Sequence, residues 1–125
     1  MVYVVALALS LGGCQSTVVQ EFPLTKFKGE RMLDDGIRQY DNGDYRVAAR
    51  TIQGALDTGL TTRSQARAHK YLAFMHCVSN QPSQCREEFR KALEVYPEME
   101  LRAEESGHPI WGPVFRNVKA SMPKQ

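Results

Sequence analysis

Residues 62–97 read TRSQARAHKYLAFMHCVSNQPSQCREEFRKALEVYP, and this stretch decides the fold. Ala68, Leu72 and Met75 recur at i, i+4 and i+7, with Ala73 and His76 widening the stripe, which is the period of an amphipathic helix from Thr62 to Val78. Asn80-Gln81-Pro82-Ser83 then breaks the pattern with turn residues. Ser83 is the expected cap of a second helix that turns Phe89, Ala92 and Leu93 inward and stops at Tyr96-Pro97, because proline removes the next hydrogen bond and clashes with the preceding turn. The stretch is a helical hairpin. No strand signal competes with it.

Upstream, the same unit recurs. Leu33, Ile37 and Tyr40 mark one helix from Glu30, Asn42-Gly43-Asp44 supplies a turn, and Val47, Ala48, Ile52, Ala55 and Leu56 mark the next, with Asp44 as its expected cap and Gly59 as its end. Downstream, residues 98–107 are irregular. Trp111, Val114, Phe115 and Val118 then fall at i, i+3, i+4 and i+7, and Pro113 fits only in a first turn, so a short helix should begin near Pro109 or Ile110. An isolated short helix is unstable unless docked, so Trp111 is expected to lie buried against the Phe89 helix. The expected fold class is all-α.

Residues 15–28 mix Ser, Thr, Gln, Val, Pro23 and two lysines without sustained periodicity, and read as a tether from which Phe22 and Phe27 can dock. Ahead of them runs an apolar segment from Val2 to Leu11, about half of what a bilayer-spanning helix needs and the right size for a signal-peptide core. The 125 residues carry 16 Lys and Arg against 14 Asp and Glu, dispersed along the chain, which leaves no electrostatic footprint for nucleic acid. One small domain is expected.

Two resemblances sharpen this reading. Leu11-Gly12-Gly13-Cys14, after the apolar run, resembles the lipobox of bacterial lipoproteins, although no Lys or Arg precedes the run where export signals carry a basic start. The resemblance implies cleavage before Cys14, diacylation of its sulfur and acylation of its new amino group, so that three acyl chains hold the protein on a membrane. Gln15, in place of an aspartate that favours inner-membrane retention, implies the periplasmic face of the outer membrane. With Cys14 lipidated, Cys77 and Cys85 remain as a pair in an oxidising compartment and are expected to form a structural disulfide across the turn.

The second resemblance is to tetratricopeptide repeats. His69, Leu72, Ala73, His76, Cys85, Phe89 and Pro97 stand at the spacings of that repeat's characteristic residues, and Met32, Asp35, Gly36, Gln39, Ala48, Ile52 and Leu60 form a weaker ladder in the first hairpin. Asp35 and Gln39 depart from the expected leucine and aromatic, and the ladders are offset by 37 residues, from Met32 to His69, where the family has 34. The first helix should therefore be shifted or peripheral. The resemblance implies two tetratricopeptide-like hairpins over residues 29–99, a loop and capping helix over 100–125, a lipid anchor and tether over 14–28, and a signal over 1–13. The segment from Gly107 to Phe115 resembles the tail of small lipoproteins associated with type VI secretion.

In such a repeat the first helix of each hairpin lines a concave groove, which here would present Leu33, Ile37, Tyr40, Arg67, Lys70, Tyr71 and Phe74 to an extended or helical peptide carrying an acidic residue. A metal site built from His69, His76, Cys77 and Cys85 is disfavoured, since the two histidines lie two helical turns apart. Nothing resembles a nucleophile elbow or a phosphate-cradling loop, and the cysteine pair lacks the Cys-x-x-Cys spacing of redox centres. The expectation is a non-enzymatic, cofactor-free adaptor that binds a protein partner of an envelope assembly, without a small-molecule substrate. A cofactor of outer-membrane or peptidoglycan biogenesis is the alternative, and a thiol oxidoreductase the enzymatic rival.

Overall fold

A computed structural model describes residues 22–124. Among these residues the chain forms six helices and no strand: α1 (Phe22–Asp41), α2 (Tyr45–Thr58), α3 (Thr62–Val78), α4 (Pro82–Val95), α5 (Ala103–Ser106) and α6 (Trp111–Ser121). The fold is all-α, made of helical hairpins with a short C-terminal helix. The lipobox and Cys14 lie outside the described residues.

In the first hairpin, α1 and α2 are joined by the turn Asn42-Gly43-Asp44, where Gly43 takes a positive φ of 84° that a side chain would disfavour. Asp44 sits at the start of α2 as expected, but its side chain caps nothing. The two helices approach closely at Gly36, where an added Cβ would stand 2.5 Å from Ile52 Cγ1. Leu33 and Ile37 carry the core face of α1, while Asp35 is exposed and Gln39 half-buried. Val47, expected in the α2 stripe, is exposed.

Gly59 ends α2 at φ 121°, and two residues later Thr61 caps α3 by accepting a hydrogen bond from the Ser64 amide at 3.3 Å. Glu30 of α1 reaches across to this junction, accepting from the Ser64 hydroxyl at 2.6 Å and from the Thr61 amide at 3.2 Å. This fastens the start of the second hairpin to the first. Pro82, not Ser83, sets the start of α4, occupying the first turn where its missing amide hydrogen has no intrahelical partner to lose. Phe74, Phe89, Leu93 and Cys85 are fully buried between α3, α4 and α6.

One boundary moves. The region expected as tether up to residue 28 is helical from Phe22, so α1 runs about two turns past the point where the bundle begins. Phe27 does not dock; it is 67 % exposed. No described helix is long and apolar enough to cross a membrane.

Candidate functional site

The inner face of α1 and α3 is where sequence reasoning places a binding groove, and the structure fills most of that groove from within. Leu33, Ile37, Tyr71, Phe74 and Lys70 are all buried, which corrects the expectation that they face a partner. Of the seven residues, Arg67 is exposed and Tyr40 half-buried. Lys70 and Phe74 are covered by the chain's own segment from Met99 to Trp111, whereas Leu33 and Ile37 are buried where α1 packs on α2 and α3.

The physical reason lies in a chain of contacts from α3 to α6. Lys70 Nζ donates to both carboxylate oxygens of Glu105, at 3.0 and 2.9 Å, and this ion pair is 8 % and 5 % exposed at its two residues. Glu105 also accepts from the Arg102 amide at 2.9 Å, and its backbone carbonyl accepts from Trp111 Nε1 at 2.9 Å. The Trp111 ring stacks on Phe74 with centroids 4.1 Å apart, while His108 lies flat on its other side at 3.4 Å. Trp111 is thus buried, with its ring stacked on Phe74 of α3, while α6 as a whole packs on both α3 and α4. Phe115 makes the α4 contact, edge-on to Phe89 at 5.3 Å.

Aromatic rings continue the row toward the first hairpin. Tyr40 meets Tyr71 edge-on at 5.0 Å and Tyr71 meets Phe74 at 5.7 Å. The Lys70 ammonium lies 5.1 Å from the Tyr71 ring centre and 5.7 Å from that of Phe74, near enough for ring quadrupoles to help hold its charge. Burial lowers the Lys70 pKa, while the hydrogen bond and charge of Glu105 work the other way. Burial, helped by the neighbouring tyrosines, pushes Tyr40 up to about 12. Taken together the face binds one carboxylate in a setting of one cation and an aromatic row, and the carboxylate belongs to the chain itself.

What stays open beside this segment is a small cleft of about 110 Å³ lined by Arg63, Ala66, Arg67, Lys70, Tyr96, Met99 and Glu100. Arg63 donates to the Tyr96 hydroxyl at 3.3 Å and stacks over its ring at 5.4 Å. Arg67 pairs with Asp34 at 3.3 Å, both exposed enough to exchange partners. A larger open groove of about 600 Å³ lies at the end of α4 and α6, between Leu93, Pro97 and Met122. Two of its charged groups are engaged elsewhere: Glu94 with Arg90, and Lys119 with Glu100 and the Met99 carbonyl.

Cys77 and Cys85 are brought together at the end of α3 and the first turn of α4, both buried, with Cα atoms 5.0 Å apart and the sulfurs at bonding distance. His69 and His76 stand apart from them in hydrogen bonding. His69 Nδ1 is 2.6 Å from Glu88 Oε2, and His76 Nδ1 is 2.6 Å from Gln81 Oε1. Among the described residues no group of three His, Cys, Asp or Glu is placed to hold a metal ion. Glu105 is the residue that sequence reasoning missed, because its partner Lys70 lies 35 positions away. Compared with protein-family models, curated proteins and solved structures, the chain matches none.

Proposed function

We propose that this chain is a lipid-anchored adaptor of the tetratricopeptide kind, held through acylated Cys14 on the periplasmic face of the outer membrane, that binds a protein partner of an envelope assembly. An accessory lipoprotein of type VI secretion is the finer form of the same proposal, and rests on the resemblance of residues 107–115. The observation that carries the adaptor reading is the in-cis occupancy of the inner face. Met99 to Trp111 displays there the kind of segment this face accepts, an acid seated on Lys70 and an indole seated on Phe74.

The partner's place, on this reading, is the basic and aromatic rim that the segment leaves open, where Arg63, Arg67 and Tyr96 present two guanidinium groups and a ring to an acidic side chain. Placing a photo-cross-linking amino acid at Arg67 in cells and identifying the attached protein tests this directly. An envelope-assembly protein whose cross-link disappears in an Arg63→Glu/Tyr96→Ala background supports the proposal, provided helicity is retained. Cross-links that persist unchanged in that background, or that fall only on unrelated abundant proteins, overturn it.

A further inference from the structure

The first two turns of α1 carry an apolar and basic stripe on the wrong side for the core. Leu24 and Leu33 are nine positions apart, as are Phe27 and Gly36, and nine residues make about two and a half helical turns, which places each pair on opposite sides of the helix. Leu33 and Gly36 face the bundle and are buried; Leu24 and Phe27 face away and are 74 % and 67 % exposed. Lys28 and Arg31 follow them at i+4 and share their face, both exposed. Leu24, Phe27, Lys28 and Arg31 therefore form one i, i+3, i+4, i+7 stripe that no part of the bundle covers. The two acids that follow directly on α1 are already engaged, Asp34 with Arg67 and Asp35 with Arg38.

We infer that this stripe is an interfacial docking surface for an anionic phospholipid membrane, on which the domain lies against the bilayer instead of hanging from its anchor. Two observations choose the occupant. Cys14 precedes Phe22 by eight residues, so covalent geometry holds the start of α1 within about 29 Å of an acyl chain on Cys14. The inference rests on the anchored reading to that extent. The chemistry of the stripe supplies the second: a leucine and a phenylalanine at its outer end enter the boundary between headgroups and acyl chains, while Lys28 and Arg31 extend their charged ends to phosphate. Docked in this way, α1 sets the orientation of the whole bundle and so the direction in which the Arg63, Arg67 and Tyr96 rim faces.

The test uses the full acylated chain carrying Phe27→Trp, reconstituted in vesicles of phosphatidylglycerol and phosphatidylcholine with brominated acyl chains, beside the unsubstituted protein. Bromine quenches only an indole that reaches the acyl region. The expected result is that emission from the introduced indole is more than halved, that Trp111 in the unsubstituted protein is untouched because it is buried on Phe74, and that Lys28→Glu with Arg31→Glu restores the lost emission. Vesicle flotation and the mass of the Cys14 peptide are read on the same samples. A protein that floats and carries the acyl mass, yet whose introduced indole is not quenched, overturns the docking and leaves the anchor standing. A blue-shifted, unquenched indole together with a cross-linked dimer also overturns it, with a second copy as the occupant. Absence of the acyl mass overturns the anchored reading itself, and the proximity on which the docking depends.

Discussion

The two hairpins have the same plan and are held by different means. In the first, α1 and α2 meet through small residues: Gly36 admits Ile52, and the Gly29 position lies so near the Gly59 carbonyl that a side chain there has no room. In the second, α3 and α4 meet through large ones, with Phe74 and Phe89 edge-on at 6.0 Å, the Cys77–Cys85 link at the turn, and Trp111 and Phe115 laid over the open side by α6. Backbone proximity and aromatic burial fail differently. The first tolerates no added atom, and the second tolerates no removed one.

Removing the largest piece should produce the largest effect. Trp111→Ala deletes the ring that covers Phe74 and removes one of the donors to the Glu105 carbonyl, and is expected to lower stability by about 3–5 kcal/mol, measured by urea unfolding. The native protein should emit as a buried indole, and emission typical of water-exposed tryptophan breaks the comparison at its strongest point. Lys70→Ala should follow at about 3 kcal/mol, since it takes from the buried Glu105 carboxylate its buried cation and leaves it only the Arg102 amide and the exposed Arg102 guanidinium at 3.5 Å. The double variant Lys70→Met/Glu105→Met should recover most of that loss, because the pair repays its own desolvation poorly. If Lys70→Ala proves neutral, the segment over the inner face is not seated as described.

These two residues also show how far the sequence could be read. The stripe of α3, its bounds at Thr62 and Val78, and the stop at Tyr96-Pro97 follow from local period and local turn chemistry, and the structure has them where that reading puts them. The closure of the inner face does not follow, because α5 is a four-residue helix with no periodicity to detect, and it is held by a pair 35 positions apart. Lys70 in isolation reads as a rim charge on a helix face. The early start of α1 was hidden for a related reason: Leu24 and Phe27 are out of phase with Leu33 and Ile37, so a search for one core stripe stops at Glu30. What was legible in the candidate site was its chemistry, a cation among aromatics suited to an acid. Which acid takes it was not.

Smaller effects separate the hairpins further. Cys85→Ala should lower stability in oxidised samples by about 2.5 kcal/mol on the chain-entropy account of a short closed loop, an effect absent from samples kept reduced. Equal loss in both states assigns the effect to packing at a fully buried position and not to the link. Gly36→Ala acts in the first hairpin and adds one methyl group against Ile52, for an expected loss of about 1–3 kcal/mol. Pairing it with Ile52→Val should return part of that loss by making room. If Ile52→Val instead adds its full effect to that of Gly36→Ala, the close approach of α1 and α2 is not what limits the position.

The smallest expected effect is a titration, and it belongs to the second hairpin alone. Burial tends to raise the Glu88 pKa, but the hydrogen bond and charge of His69, together with Lys91 at 3.4 Å, outweigh it and hold the carboxyl below its ordinary value. An unfolded glutamate titrates near about 4.3, so between that value and the lower folded one the unfolded chain binds more protons, and stability falls as the pH falls. The contribution is complete above about pH 5 and is lost on acidification through the folded pKa. Glu88→Gln should therefore cost about 1 kcal/mol at neutral pH and flatten the acid limb of the stability curve. Arg90, paired with Glu87 and Glu94 on the outer face of α4, serves as the control: Arg90→Ala should leave neutral stability nearly unchanged and the Glu88 share of the acid limb in place. An unchanged acid limb in Glu88→Gln rejects the account of Glu88 held down by His69 and Lys91.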